Sequence, residues 1–311
     1  MDPTMTALFG GVFVILLVAS IIGFVLSRRA TSENGIATVA NLNARIKAWW
    51  LMIAIFAVAF WFGTEITIVL FALTSFFCLR EFLSITPTRA EDHTATVAAF
   101  YLFIPLQYWL IAVEWQSLFS ILIPVWAFLL LPLLAVLKGE TQDFLTRSAK
   151  IQWALMLNVF CISHAPALLL LDIPGFEQNF LLLFFLITVV QLSDVLQYVF
   201  GKLFGKHKVA PRVSPAKTWE GLIGGGVSAA AIGAGLFWIT PFSPLEAGAL
   251  ALTIVIAGFA GGLVLSAVKR SLGAKDWGTM IEGHGGALDR MDSVSFAAPV
   301  FFHLANYFFV P

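Results

Sequence analysis

Long apolar runs separated by short polar connections make up most of this chain. An apolar run of roughly 17 to 25 residues is long enough to cross a bilayer as a helix. About ten runs of this kind are present, and they lie near residues 5–27, 49–63, 66–80, 96–113, 117–137, 151–171, 179–200, 219–240, 247–268 and 293–310. The pattern therefore predicts an all-α, polytopic integral membrane protein with about ten transmembrane helices.

Two features of the first three runs bear on this count. Only Gly63, Thr64 and Glu65 separate the short second and third runs, which form either a tight hairpin or a partly re-entrant pair. No cleavage-like site precedes the Arg28-Arg29 pair that follows the first run. We therefore interpret the first run as a retained anchor and not as a signal peptide.

The composition supports a membrane protein and makes some other classes of function improbable. Hydrophobic residues account for 59% of the chain and charged residues for only 12%, against about 25% in a typical soluble protein. The net charge is +0, so bulk electrostatics indicates no nucleic-acid partner. Cys78 and Cys161 both lie in apolar runs, where cysteine behaves as a small core residue.

The basic residues predict which connections face the cytoplasm. All 18 Lys and Arg residues lie in alternate connections, beginning with the first. The positive-inside rule places those connections in the cytoplasm and both termini outside. We therefore expect a multi-pass protein of the cell (cytoplasmic) membrane. The charged residues of the intervening connections are all acidic, namely Glu65, Glu114, Asp172, Glu177 and Glu246.

Residues 266–293 form a polar, glycine-rich segment within this apolar chain. Charge inside or against a bilayer is costly, so a charged cluster there is a candidate functional site. Cations suit phosphate oxygens and converging carboxylates suit Mg²⁺, so the segment indicates phosphoryl or nucleotidyl transfer. The simpler alternative is a solvated loop whose charges neutralise one another. The segment contains Lys269, Arg270, Lys275, Asp276, His284, Asp289, Arg290 and Asp292.

A second polar stretch, residues 201–226, carries five cations before its first acid, Glu220. This charge favours an anion-binding patch, although ordinary positive-inside charge is the alternative. Ser214 or Thr218 can cap the helix predicted to begin near Trp219. Upstream, Asp194 interrupts an apolar helix near its cytoplasmic end, either as a site carboxylate or as a packing residue.

These two stretches resemble the CDP-diglyceride synthase (phosphatidate cytidylyltransferase) family. The resemblance covers roughly the last 120 residues. In the N-terminal half only Arg80-Glu81-Phe82 shows a weak similarity to the family. The matching motifs are Ser266 with Lys269-Arg270, Lys275-Asp276, His284-Gly285-Gly286, Asp289-Arg290-Met291-Asp292, Gly205-Lys206-His207-Lys208 and Ser214-Pro215-Ala216-Lys217-Thr218.

The resemblance implies an enzyme of phospholipid biosynthesis that converts CTP and phosphatidic acid into CDP-diacylglycerol and pyrophosphate. It implies Mg²⁺ as cofactor, with room for a monovalent cation such as K⁺, and an active site facing the cytoplasm. CTP, a lipid phosphate and the bilayer are the expected partners, and a homodimer is one assembly to consider. The implied catalytic residues are Lys275, Asp276, His284 and Asp289. The implied substrate-binding residues are Lys206, Lys208, Ser214, Lys217, Lys269, Arg270 and Arg290. The implied metal ligands are Asp194, Asp289 and Asp292.

The chain also departs from the family pattern. Gly262 and Leu265 stand where the family commonly has Asp and Glu, and bulky Val195-Leu196-Gln197 follows Asp194. Either the metal site is weakened, or it has been rebuilt with Asp194 moved in. The alternative function is a catalytically altered paralogue that acts on, or merely binds, another lipid phosphate.

The motifs also suggest how the chain is organised. We expect N-terminal transmembrane helices over residues 1–172 and a catalytic transmembrane half over 173–311. The cytoplasmic site loops of that half are predicted at 201–218 and 269–292.

Overall fold

The computed structural model describes residues 3–29, 32–280 and 285–311. Over these ranges the chain forms ten long helical segments, one short β-hairpin and a separate 3-10 turn, Phe237–Ile239. The all-α prediction is therefore confirmed, with the hairpin as a small addition. The helices are α1 (Pro3–Arg29), α2 (Glu33–Phe62), α3 (Thr64–Ile85), α4 (Ala90–Ala112), α5 (Gln116–Val136), α6 (Phe144–Leu170), α7 (Phe180–Phe204), α8 (Trp219–Gly235), α9 (Pro244–Ser271) and α10 (Leu288–Phe309). Two further 3-10 turns, Ala90–Asp92 and Leu168–Leu170, are the first turn of α4 and the last turn of α6. The strands are β1 (Lys208–Ala210) and β2 (Ser214–Thr218), which pair antiparallel between α7 and α8.

Eight helices in the described ranges, α1 to α7 and α9, are long and apolar enough to cross a membrane. The other two occupy predicted spans but are less apolar or shorter. Helix α8 has 17 residues, and α10 carries Asp289, Arg290 and Asp292 in its first turns. A polytopic membrane protein is confirmed, whereas the number of spans and the side of the termini stay predictions.

Three of the spanning helices contain a wider, π-helical turn. These turns cover Ala99–Phe103 in α4, Leu122–Ala127 in α5 and Met156–Cys161 in α6. Pro105 follows the first and Pro124 lies within the second. Proline lacks a backbone N–H, and a local change of helical hydrogen bonding accommodates that loss.

Helices α2 and α3 form the tight hairpin that was one of two predicted alternatives. Only Gly63 separates them, and its φ of +96° lies in the left-handed region that favours glycine. Helix α3 then enters the centre of the molecule, where it contacts both α6 and α10. This route carries residues of the N-terminal half to the polar segment near α10.

One continuous hydrophobic cluster extends from Ile68 in α3 to Ala305 in α10 and includes both predicted halves of the chain. Helices α7, α8, α9 and α10 pack against one another within it. The prediction for the cysteines is confirmed, because Cys78 is fully buried in the cluster and Cys161 packs against it. The shared core fixes α3 against the C-terminal helices.

Small residues let α7 and α8 approach closely. A Cβ atom on Gly221 would lie 2.7 Å from the backbone oxygen of Gln197, and one on Gly225 would collide with the Gln197 nitrogen. At the end of α7, Gly205 packs against Thr218 of β2 in the same way. The β-hairpin formed by β1 and β2 is therefore held tightly at the ends of α7 and α8.

Candidate active site

Asp289, in the first turn of α10, organises the polar segment between α9 and α10. Its Oδ1 accepts a hydrogen bond from Lys269 Nζ at 2.6 Å. Its Oδ2 accepts from the backbone nitrogens of Trp277 (2.8 Å) and Gly286 (2.9 Å). The Asp289 and Lys269 side chains are only 7% and 11% exposed, so this is a nearly buried ion pair. Asp289 thus joins the end of α9, the connecting loop and the start of α10.

Glu81 of α3 holds the same segment from the other side. Its two carboxylate oxygens accept hydrogen bonds from the backbone nitrogens of Ala287 and Leu288, each at 2.9 Å. These are N–H groups at the start of α10, where an acceptor and a negative charge are both stabilising. Glu81 is not among the site residues predicted from the sequence. The weak similarity of Arg80-Glu81-Phe82 to the family pattern was its one signal.

Each of the two glycines before α10 has its own structural reason. Gly285 has a φ of +80°, which favours glycine, and a Cβ atom on Gly286 would collide with the Glu81 carboxylate. Next to Glu81, the Phe82 ring stacks on Trp277, with centroids 5.0 Å apart and an angle of 18° between the planes. Trp277 is fully buried, so the loop is anchored by packing as well as by hydrogen bonds.

Asp194 of α7 and Asp292 of α10 meet at Ser293. The Ser293 hydroxyl lies 3.3 Å from Asp194 Oδ1 and 3.4 Å from Asp292 Oδ1. The Ser293 backbone nitrogen also donates to Asp292 Oδ1 at 2.7 Å. Arg290 is half-buried and close enough for its charge to act on both carboxylates. The structure thus brings together two carboxylates that are 98 positions apart in the chain.

Lys217, from β2, lies beside this pair and beside Gly262. Its Nζ donates to the Phe259 backbone oxygen at 3.4 Å and lies 4.6 Å from the centre of the Phe259 ring. A Cβ atom on Gly262 would lie only 2.5 Å from Lys217 Nζ. The lysine ammonium therefore occupies the space that a side chain at position 262 would need.

The environment of the Lys217 ammonium is mixed. Burial lowers the pKa of this ammonium, while the Asp194 and Asp292 carboxylates act in the opposite direction and raise it. The net direction is downward. Lys217 is therefore a cation that is poorly hydrated and close to carboxylates, which suits contact with phosphate oxygens.

The β-hairpin is attached to its neighbours at the end of β2 and at its turn. Thr218 Oγ1 accepts from the Gly221 nitrogen at 3.1 Å, so of the two candidates Thr218 is the N-cap of α8. Arg270 Nε donates to the Val213 backbone oxygen at 3.4 Å, which joins the hairpin turn to the end of α9. The two polar stretches of the sequence therefore form one site.

Other predicted site residues lie at the periphery. Lys206, Lys208, Lys275 and Asp276 are exposed, and their side chains make no hydrogen bond to another described residue. Ser214 is half-buried at the start of β2. His284 lies outside the described residues, as does the neighbouring Glu282.

Within the described ranges, no three His, Cys, Asp or Glu side chains come together as a metal-binding group. Asp194 and Asp292 form a pair, and Asp289 is engaged by Lys269 and two backbone donors. The assignment of Asp194, Asp289 and Asp292 as Mg²⁺ ligands stays a prediction.

Comparison with known proteins places this chain in a family. The sequence model of the cytidylyltransferase family matches residues 43–308. The uncharacterized protein YnbB of Escherichia coli K12 is 37% identical over 297 residues, which are 95% of this chain and 96% of that protein.

Two further relatives are named phosphatidate cytidylyltransferase. The one from Staphylococcus saprophyticus is 41% identical over 118 residues, and the one from Haemophilus influenzae is 40% identical over 140 residues. These matches cover 37% and 42% of this chain, and 45% and 46% of the respective relatives. The chain thus spans less than half the length of these two relatives. Together with the family match, they confirm the resemblance: the chain belongs to the cytidylyltransferase family, as a divergent member, and is a membrane-embedded nucleotidyltransferase.

Proposed function

We propose that the protein transfers the cytidylyl group of CTP to the phosphate of a membrane lipid, with phosphatidic acid as the first candidate acceptor. The products would be CDP-diacylglycerol and pyrophosphate. The observation that carries the proposal is the convergence of Lys217, Lys269, Asp194 and Asp292 at the junction of α7, α9, α10 and the hairpin. The names of the two phosphatidate cytidylyltransferase relatives support the choice of substrates.

The reaction needs charge neutralisation and alignment more than a protein nucleophile. An oxygen of the lipid phosphate forms a bond to the α-phosphorus of CTP, and the bond from that phosphorus to the β-phosphate oxygen breaks, which releases pyrophosphate. Both reactants are anions, so fixed cations lower the cost of bringing them together. We assign this role to Lys217, Arg290 and Lys269, with exposed Lys206, Lys208, Arg270 and Lys275 as outer contacts for the phosphates. Ser214, Asp276 and His284 stay further candidates from the family pattern.

The residues present fit a bound Mg²⁺. Asp194 and Asp292 supply hard oxygen donors close enough to share the Ser293 hydroxyl, and oxygen ligands are those that Mg²⁺ prefers. We propose these two as the ligands. Asp289 would position Lys269 and the loop, because its oxygens already accept three hydrogen bonds. A bound Mg²⁺ would supply charge stabilisation to the phosphate oxygens.

The test is an assay of the purified full-length chain with radiolabelled CTP, Mg²⁺ and a panel of lipid phosphates. We expect incorporation of label into lipid and release of pyrophosphate, greatest with phosphatidic acid. A different best acceptor would identify the altered paralogue that the Gly262 departure raises. Saturable binding of lipid phosphate without pyrophosphate release on any lipid would overturn the proposed activity.

We further propose that the site faces the cytoplasm, where CTP is available. The proposal rests on the positive-inside pattern. Cysteine introduced by Thr279→Cys should be shielded from an impermeant thiol reagent added to intact cells. Leu245→Cys, at an exposed position in the first turn of α9, should be labelled in the same cells. Labelling at position 279 and protection at 245 would reverse the orientation.

A further inference from the structure

Glu220, in the first turn of α8, binds the backbone of the short connection from α7 to β1. Its Oε2 accepts hydrogen bonds from the backbone nitrogens of Lys206 at 3.0 Å and His207 at 3.2 Å. Its Oε1 accepts from the same His207 nitrogen at 3.2 Å, and His207 Nδ1 lies 2.5 Å from it. The Trp219 nitrogen donates to the His207 backbone oxygen at 2.9 Å. The start of α8 therefore holds both the N–H and the carbonyl group of His207.

These contacts differ from ordinary helix capping. Thr218 already caps α8, because its hydroxyl accepts from the Gly221 nitrogen. Glu246, the first-turn carboxylate of α9, forms a capping box, in which it accepts from the backbone nitrogen of its own N-cap, Ser243. Glu220 instead reaches back 13 and 14 positions along the chain. Its hydrogen bonds therefore fix the α7–β1 connection.

The charges around this connection favour an anion as ligand. Residues 195–245 contain five Lys or Arg residues, all within 202–217, and Glu220 is the one acid among them. In this part of the structure Glu220 pairs with His207 and with no lysine or arginine. The side chains of Lys206 and Lys208 are exposed on either side of His207. Two ammonium groups on a fixed backbone suit phosphate oxygens.

The position of the connection favours a nucleotide over a lipid as the source of that phosphate. Lys208 pairs with Thr218 across the β-hairpin, so it lies one strand spacing, about 4.8 Å, from the strand that carries Lys217. Lys217 lies beside the two site carboxylates, whereas Lys206 and Lys208 are exposed. CTP is soluble and carries three phosphates in a row. Its outer phosphates can therefore reach the connection while its α-phosphate lies near Lys217.

We propose that Glu220 is a positioning residue for CTP. It fixes the backbone of the α7–β1 connection so that Lys206 and Lys208 bind the β- and γ-phosphates, the two that leave as pyrophosphate. Glu220 does not itself touch the nucleotide in this arrangement, because its oxygens are engaged by the connection. The inference rests on the proposed function and adds a residue that the family motifs quoted above do not include.

A comparison of CTP with CMP tests this role, because CMP lacks the two outer phosphates. Binding of radiolabelled nucleotide to the purified full-length chain is measured by equilibrium dialysis with Mg²⁺ and without lipid, so that no turnover occurs. Glu220→Gln keeps the shape of the side chain but puts an NH₂ group where one acceptor stood. It should weaken CTP binding about tenfold, as expected for the loss of charge-assisted contacts, and leave CMP binding unchanged. Glu246→Gln, which alters the first-turn carboxylate of α9, is the matched control and should change neither.

A coupling measurement separates positioning from a general effect on the fold. Lys206→Gln/Lys208→Gln should weaken CTP binding at least as much, and adding Glu220→Gln should cause little further loss, because Glu220 acts through the lysines. Equal loss of CTP and CMP binding in Glu220→Gln, or full additivity with the lysine changes, would overturn the proposal.

Two further outcomes would also contradict it. Weaker binding of phosphatidic acid with unchanged CTP binding in Glu220→Gln would assign the lysines to the lipid phosphate. Unchanged CTP affinity in Glu220→Gln, with a wild type that binds CTP, would overturn this inference alone. A wild-type chain that binds no CTP would overturn the proposed function and this inference with it.

Discussion

The apolar residues of the first helix, α1, and those of the last four helices, α7 to α10, have different surroundings. In the apolar stretch of α1 only 11% of the residues are buried inside the protein, against 50% in α9. Gly10 and Gly11 of α1 have open space where a side chain would stand, whereas Gly225 of α8 lies against the backbone of α7. In α1 the apolar residues serve contact with lipid. In α7 to α10 they serve close helix packing, which brings polar groups from separate helices together.

The family match begins at residue 43, beyond α1, which agrees with this contrast. The proposed active site lies in the closely packed region, and α1 lies at the periphery of that region. Substitutions of the same chemical kind should therefore have very different consequences in the two regions. The following predictions are arranged from the largest expected effect to the smallest.

Loss of a carboxylate at the centre of the packed region should have the largest effect. Asp292→Asn should lower turnover by at least about a hundredfold and raise the Mg²⁺ concentration needed for half-maximal rate, because charge at the site is lost. Rates are measured with labelled CTP and lipid phosphate over a Mg²⁺ series.

Asp289→Asn is the informative partner of that variant. Asp289→Asn should also lower turnover by about a hundredfold, because losing this carboxylate frees Lys269 and the loop. The Mg²⁺ requirement should change little, because Asp289 is not one of the two proposed metal ligands. A strong rise in the Mg²⁺ requirement with Asp289→Asn would make Asp289 a metal ligand. Near-normal turnover in that variant would remove Asp289 from the mechanism.

Glu81 connects the N-terminal half to the site, so its loss should be the next largest effect. Glu81→Ala leaves two N–H groups at the start of α10 without their acceptor, and hydrogen bonds to a charged group contribute about 1.5–3 kcal/mol. We expect a lower thermal midpoint in detergent and faster proteolysis between α9 and α10. Glu65→Ala, at the exposed start of α3, is the control and should change neither. An unchanged cleavage rate in Glu81→Ala would show that the loop is held by Trp277 packing alone.

The sequence was sufficient for the all-α fold with many apolar helices, because apolar spans are local signals, and it also indicated the two polar stretches that the structure brings together. It was insufficient for Glu81, since nothing in its own helix indicates that its carboxylate reaches Ala287 and Leu288. The same limit applies to the tie between Asp289 and Lys269 and to Lys217 beside Gly262. These contacts depend on how closely α3, α9, α10 and the hairpin approach one another, and helix packing decides that distance.

Glycine substitutions test the packing contrast directly. Gly225→Leu would place a side chain where the Gln197 backbone now lies, and overpacking of this kind costs about 1–3 kcal/mol. We expect a clear fall in thermal midpoint and a loss of activity. Gly11→Leu places the same side chain in open space on α1 and should change the stability by less than about 0.5 kcal/mol. Equal effects of the two substitutions would show that α1 is packed against protein and not against lipid.

The smallest effect is expected at Gly262, where the chain departs from its family. An aspartate there would meet Lys217 Nζ and draw it away from Asp194 and Asp292, so the added carboxylate would disturb the charge balance without adding a ligand. Gly262→Asp should therefore lower turnover severalfold to about tenfold at every Mg²⁺ concentration. Gly262→Ala separates the steric part, because its Cβ meets only the flexible end of the lysine and should be tolerated better. If Gly262 instead reflects the simple loss of a metal-binding carboxylate, Gly262→Asp will be more active than the wild type at low Mg²⁺. That outcome would show that Lys217 occupies the place of a missing carboxylate without replacing its role.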